Sequence, residues 1–362
     1  MTPEDDAQTA VRGTRARRAS RRRFLRVTAV VVAVLVVAGG IWVATRGGDD
    51  VTPKASASGS PTRNPGTPSF LSLSIAGGAL PYLAVIGGGS EAAAIPIPAD
   101  LTIVVPGQGE SPVTEIAKLP GPSVQVALSN EVGVWTEDWV VMNLDGFARM
   151  VDRSGGLSID LPEPVVTTAG VLGPGQVNLK GIQAAALMRA KGADPAARWE
   201  LMLSALLADP PTLQPSDVVG SSALPSVQAT LDGATGAQIL PMPVQDVGGS
   251  VVIAQQPALD ELMTDTWGTT APTPAIVQNG NGAPGVGEAV ARAIIPAGFR
   301  VTLSQNAQTF DQVTTEVIAN GEEHLEAARR ARKALGVGQV QASQVPSGIG
   351  DITIVVGKDL TA

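Results

Sequence analysis

Apolar and polar positions divide the chain into stretches of distinct character. Val27 to Thr45 (VTAVVVAVLVVAGGIWVAT) holds 19 residues without a charge. A helix of that length, rising ~1.5 Å per residue, spans roughly 28 Å of hydrocarbon and predicts one bilayer crossing, with Trp42 in the outer aromatic belt. Residues 46–68 are rich in Gly, Ser, Thr and Pro, have no apolar periodicity and read as a flexible linker. Beyond them, Tyr82 to Ile86, Ala92 to Ile97, Leu101 to Val105 and Ser123 to Leu128 are short apolar runs bounded by Gly or Pro, predicted as strands. Phe147, Met150 and Val151 then share a helical face, with Asn143 or Asp145 to cap its start and Gly155-Gly156 to stop it before a strand at Leu157 to Leu161. Another helix begins at Asp194-Pro195, its Trp199, Met202, Leu203, Leu206 and Leu207 recurring at i, i+3, i+4, i+7 and i+8, and ends by Pro210.

Gly268 to Pro274 is a second breaker-rich stretch. After it the pattern reads strand (Ala275 to Gln278), helix (Val286 to Ile295), strand (Phe299 to Leu303), strand (Thr314 to Ile318), helix (Glu322 to Leu335), strand (Val340 to Ala342) and strand (Asp351 to Val356), an order resembling a split βαβ arrangement. The predicted layout is a tail at 1–26, a transmembrane helix at 27–45, a linker at 46–68, a central domain at 69–267, a short linker at 268–273 and a C-terminal domain at 274–362. The fold class expected is α/β: an α/β/α sandwich followed by a small α+β domain.

Charge sharpens this layout. The formal net charge of −8 conceals eight Arg against Glu4, Asp5 and Asp6 in residues 1–26, and 17 basic against 30 acidic residues from Arg46 onward. An Arg cluster on the N-terminal side of the apolar run predicts a cytoplasmic N-terminus, with the remainder outside the plasma membrane. Ser20 to Arg26 (SRRRFLR) also resembles a twin-arginine export signal, which in its simplest form would be cleaved. The apolar run is longer than a signal h-region and no clean A-x-A site follows, so a retained anchor is favoured. Anionic lipid and topology account for the Arg cluster without nucleic acid. The chain has no Cys and a single His, His324, so zinc fingers, Cys nucleophiles and iron-sulfur clusters are excluded, and any Ser-His-Asp triad would need His324. His324 lies in the polar first part of a helix and is expected at the surface.

Ile97-Pro98-Ala99-Asp100 with Ile103 to Gly107, Gly146-Phe147 to Leu157, and Leu179-Lys180-Gly181 to Lys191 resemble, in order, the blocks of the LytR-CpsA-Psr envelope proteins. Ile276 to Gly285, Gly298 to Val301 and Asp351 to Gly357 resemble the LytR C-terminal domain that often follows them. The resemblance implies a membrane-anchored phosphotransferase that moves a glycopolymer from a polyprenyl pyrophosphate carrier onto peptidoglycan, with Mg²⁺ helping to neutralise the pyrophosphate. It implies an anion site at Arg189, Lys191 and Arg198, supported by Asp100 and Asp194. The sequence departs from the family pattern at several of these places. Ala99 stands where the pattern has Arg, and the stretch FLSLSIAGGALPY, where carboxylates would hold Mg²⁺, contains no Asp or Glu. Lys191 replaces the second Arg of an Arg-x-Arg pair and supplies a point charge where Arg would grip bidentately. The Asp-x-x-Arg spacing is stretched by one residue to Asp194 and Arg198, and the Arg-Gln expected after it is missing. No confident catalytic residue and no metal site are expected.

Plainer readings stand beside these. Arg189, Lys191 and Arg198 also fit an interhelical turn with solvated charges and Asp194 as the cap, while Asp100 and Asp152 fit turn or capping roles. Gly280, Gly282 and Gly285 form G-x-G-x-x-G between a strand and a helix, but the acidic residue a dinucleotide site needs ~20 residues on is absent, so a tight turn is expected. The expectation is therefore an envelope glycopolymer-attachment protein with weak or lost catalysis. The alternatives are a non-catalytic binding or scaffold protein of wall assembly and an envelope-linked transcriptional attenuator.

Overall fold

The computed structural model describes residues 68–361 except 79, 191–193, 250 and 345–346. The basic tail, the predicted span 27–45 and the linker up to residue 67 lie outside the described residues. Among the described residues no helix is long and apolar enough to cross a membrane.

Strands β1 (Ser69–Ala76), β2 (Tyr82–Gly88) and β3 (Ala93–Ile97) pair antiparallel in sequence. A hairpin of β4 (Thr102–Val105) and β5 (Gly109–Pro112) follows, then a short α1 (Val113–Ile116) and α2 (Gly121–Val132). β6 (Asp138–Asn143) lies parallel to β1 and leads into α3 (Leu144–Arg153). Next come β7 (Leu157–Leu161), β8 (Val165–Thr167), β9 (Gly170–Leu172) and β10 (Gly175–Leu179), which form the ribbons β7–β10 and β8–β9. Helices α4 (Gly181–Arg189) and α5 (Pro195–Ala208), strand β11 (Val218–Ser221), helix α6 (Leu224–Asp232), strand β12 (Gln238–Ile239), the hairpin β13 (Val244–Gly248) and β14 (Val251–Ala254), and α7 (Gln256–Trp267) complete this part.

The central sheet runs β11-β6-β1-β2-β3-β12. Because strand side chains alternate, Leu71, Leu73, Ile75, Tyr82, Ala84 and Ile86 enter one apolar cluster with α3, α4, α5 and α6. Phe70, Leu83, Val85, Ile95 and Ile97 enter a second, with α2 and α7. Both faces are covered, which explains why β1 to β3 read as unbroken apolar runs rather than alternating ones. The layering is that of an α/β/α sandwich.

One expected strand is a helix: Ser123 to Leu128 lies inside α2. Pro122 sits in its first turn, Val124, Leu128 and Val132 repeat every fourth residue onto the sheet, and Gly133 closes it at φ 75°. Six apolar-rich residues fit either period; the length of the whole element, 12 residues, is what identifies a helix.

The second sheet is built from β15 (Thr273–Asn279), β16 (Phe299–Asn306), β17 (Glu316–Asn320), β18 (Gln339–Ser343) and β19 (Ile352–Val356), in the order β16-β15-β19-β17-β18. All pairs are parallel except β17–β19. Helices α8 (Val286–Ile294) and α9 (Leu325–Leu335) pack on one face. The strand expected at Thr314 to Ile318 begins two residues later, because the Thr315 amide and hydroxyl both donate to Asp359 Oδ1 (2.8 and 2.7 Å) instead of joining a ladder. His324 is less exposed than expected, its side chain lying 3.5 Å from Asp351 and 3.6 Å from Glu323. Gly282 and Gly285 hold φ of 75° and 80°, the backbone a tight turn into α8 demands.

The two sheets meet across a buried contact between α2, α7 and β16. Asn130 of α2 pairs with the Val301 backbone, donating to its carbonyl (2.9 Å) and accepting from its amide (2.7 Å). Arg300 grips Asp260 of α7 with two nitrogens (3.0 and 2.6 Å) and donates to the Asn130 carbonyl (3.1 Å). Val126 of α2 belongs to the apolar cluster of the second sheet. A Cβ on Gly287 would lie 2.5 Å from Gly107 Cα, so only glycine permits that backbone approach.

Candidate functional site

The start of β2 and the start of α5 meet through two aromatic residues. Trp199 Nε1 donates to the Leu83 carbonyl (2.8 Å), and the Tyr82 and Trp199 rings lie 5.5 Å apart at a tilt of 57°. The Tyr82 hydroxyl donates to the Met188 carbonyl at the end of α4. Tyr82 thereby ties together the strand and the ends of two helices. Asp194 caps α5 by accepting from the Ala196 amide (2.9 Å), and Pro195 occupies its first turn, as the local sequence predicts.

Arg198 projects from that first turn into the protein. It is 6% exposed, and its Nε and Nη1 are buried with no hydrogen-bond partner among the described residues. Burial pushes the Tyr82 phenol above its ordinary pKa, and the nearby Arg198 charge draws it partly back. Buried guanidinium nitrogens that make no hydrogen bond weaken the folded state. Arg198 is buried and not solvated, whereas Arg189 is exposed.

Other residues of the same end of α5, with Leu80, Tyr82, Ile97, Ala99, Trp199 and Met242 in the wall, line a mainly apolar cavity of about 90 Å³; Arg198 is not part of its lining. Water occupies about 30 Å³, so this space holds roughly three waters and admits a long hydrocarbon only if the walls move. Ala99, the residue standing in place of the expected Arg, forms part of the wall, and Glu200 is the single charged residue among those lining it.

The other candidates are dispersed. Arg189 is exposed and 3.9 Å from Asp145, which is also exposed, with no contact to Arg198. Lys191 lies outside the described residues. Asp100 is exposed in the turn that joins Pro98 to Leu101. Asp152 accepts from the Gly181 amide (2.7 Å) at the start of α4, a capping role. Among the described residues, Arg189 lies at the surface near Asp145 while Arg198 is buried. In the stretch 70–82, where the family pattern has carboxylates, strand β1 carries the buried hydroxyls of Ser72 and Ser74, and among the described residues no three His, Asp or Glu side chains group together.

Sequence reasoning did not single out Tyr82, yet it is the only Tyr in the chain and a lone hydroxyl inside an apolar strand, which is the signal that marks it. It also passed over Asp138, which is 3% exposed and accepts from Ser222 (2.9 Å), Ser226 (2.8 Å) and Thr230 (3.2 Å). Those three hydroxyls satisfy it, and they fasten β6 to the β11–α6 segment.

Two family models match successive parts of the chain. The LytR_cpsA_psr family matches residues 82–197, and the LytR cell envelope-related transcriptional attenuator family, LytR_C, matches residues 274–360. No curated protein matches the chain significantly. Among solved structures, Bacillus subtilis TagT is 17% identical over 58% of this chain and 95% of its own, with a TM-score of 0.47. The LytR-Csp2A-Psr enzyme of Actinomyces oris is 22% identical over 56% of this chain and 90% of its own, with a TM-score of 0.44. TagT has also been solved with bound octaprenyl pyrophosphate lipid, at 17% identity over 57% of this chain and 94% of its own and a TM-score of 0.46. The chain thus carries a region of the LytR-CpsA-Psr family at residues 82–197, followed by a LytR-type C-terminal domain at residues 274–360.

Proposed function

We propose that this protein binds the phosphate-bearing head of a polyprenyl-linked glycopolymer at Arg198, as part of cell-wall assembly, and that it catalyses transfer weakly or not at all. The observation that carries the reading is the buried Arg198 guanidinium with two unpartnered nitrogens, on a helix whose first turn also lines an apolar cavity. Charge-assisted hydrogen bonds from these nitrogens to a phosphate oxygen would contribute about 1.5–3 kcal/mol each, replacing hydration the anion loses on entry. The apolar wall suits the first part of a prenyl chain once it opens. Transfer makes a stronger demand, because the leaving pyrophosphate must be neutralised as its charge grows. Ala99 adds no cation there, and the Glu200 carboxylate adds a negative charge that repels the leaving pyrophosphate.

The N-terminal Arg cluster and the apolar run 27–45 support an anchored, N-in arrangement with residues beyond 45 outside the plasma membrane. The same facts that weaken transfer favour a second reading, a binding or scaffold role in wall assembly with no turnover of its own. Polyprenyl pyrophosphate presented in detergent micelles to the full-length protein tests the first claim. Saturable binding, weakened at least tenfold by Arg198→Ala and partly kept by Arg198→Lys, is expected; equal binding by Arg198→Ala removes the proposal. Turnover of lipid-linked glycopolymer tests the second. Robust Mg²⁺-dependent transfer would show a working site built from residues read here as structural.

A further inference from the structure

The carboxyl ends of β16, β15 and β19 lie side by side at one corner of the second sheet. Register pairs Gln278 with Gln305 on one side and with Val355 on the other. Ala275, Val277, Ile354 and Val356 point into the apolar cluster under α8 and α9, so Gln278 and Val355 face the opposite way. After β16 the chain folds back over this corner and is held there. The Ala307 amide donates to the Asn279 carbonyl (2.9 Å), and the Gln312 amide to the Gly280 carbonyl (3.0 Å).

Between this loop and the strands is a cavity of about 300 Å³ lined by Gln278, Gln305, Asn306, Gln308, Thr309 and Gln312, with only Ala307 and Val355 as apolar walls. That volume is at the lower end of the range for small-molecule sites, and the carboxyl ends of parallel strands are where such sites form in open α/β sheets. The side-chain amides of Gln278, Gln305, Asn306 and Gln308 make no hydrogen bond to the protein among the described residues. Gln312 uses its Nε2 on the Thr314 carbonyl (2.8 Å). A primary amide offers two donors and two acceptors in a plane, matching adjacent hydroxyls in either direction. No charged residue lines the space, so nothing in it selects a phosphate or carboxylate.

We propose that this amide-lined cavity of the C-terminal domain is a binding site for an uncharged glycan, whose hydroxyls pair with Gln278, Gln305, Asn306 and Gln308. The site is separate from Arg198, and it stands or falls independently of the phosphate reading.

Titration calorimetry of the full-length protein in mild detergent tests it, using N-acetylglucosamine tetramer, maltotetraose and mannotetraose as neutral probes. Trigalacturonic acid and penta-alanine serve as the charged and peptide comparisons. At least one neutral tetrasaccharide should bind saturably, with affinity unchanged by added salt. Gln278→Leu and Gln305→Leu should each weaken it about tenfold, equivalent to about 1.4 kcal/mol. Should either variant melt at a lower temperature than the parent, Gln308→Ala on the loop decides, with the same weakening expected. The proposal is overturned if no neutral tetrasaccharide saturates, if the acidic sugar or the peptide binds more tightly, or if folded variants bind as the parent does.

Discussion

Arg198 stands at a position where folding and binding make opposite demands. Two of its guanidinium nitrogens, Nε and Nη1, are buried without a hydrogen-bond partner, which weakens the folded state, and the same nitrogens are what an anion would engage. Arg198→Met keeps the length of the stem and removes the charge. Without ligand it should stabilise the protein by about 1–4 kcal/mol in urea unfolding, while abolishing pyrophosphate binding. A loss of stability would mean that the guanidinium is satisfied in a way its surroundings do not show. Nothing in the local sequence distinguishes this Arg from a solvated one. At Arg198 the helical period places it next to the buried Trp199, and only the packing of α5 against Tyr82 turns it inward. Asp194 and Asp152 were legible as caps because capping is a matter of a few adjacent residues.

At the scale of elements, α2 carries a carboxyl whose environment the sequence could not foretell. Glu131 is 4% exposed, and burial raises its pKa from 4.5 to about 7, against the opposing pull of Arg300 and a hydrogen bond from Gln256. Between pH 4.5 and about 7 the folded protein holds this proton and the unfolded chain has released it. Stability therefore falls as pH rises through that window, by up to about 3 kcal/mol from this group alone. Glu131→Gln should remove that part of the slope. Unfolding free energies at pH 5 and pH 7.5 for both proteins check it, and an unchanged difference between them would refute the assignment. The strand expected at Ser123 to Leu128 failed because its apolar spacing satisfies both periods, and only the 12-residue length of the whole element identifies a helix. Val126 and Asn130, which a two-sided strand would place elsewhere, are the residues α2 presents to β16.

At the scale of the whole molecule, the contact between the sheets depends on Arg300, which is 8% exposed and bonded to Asp260, Asn130 and Glu131. Removing one partner of such a pair leaves the other buried and uncompensated, so Arg300→Ala should cost roughly 3 kcal/mol. It should also speed cleavage within residues 268–273 in limited proteolysis; an unaltered digestion rate would mean that the domains are held elsewhere. Topology is a separate prediction. External protease on intact spheroplasts should remove nearly all of the chain beyond residue 45, and survival of the C-terminal domain until lysis would reverse the N-in assignment.

The caps of α3 and α5 and the strands of the second sheet were determined by the sequence alone, since each depends on hydrophobic period and a few neighbouring residues. Tertiary structure alone decided which charge is buried, which domain completes the other's core, and where unpaired amides gather. Those properties join residues far apart along the chain, such as Tyr82 with Met188, Asn130 with Val301 and Gln278 with Gln308, and no local pattern encodes burial that depends on distant partners.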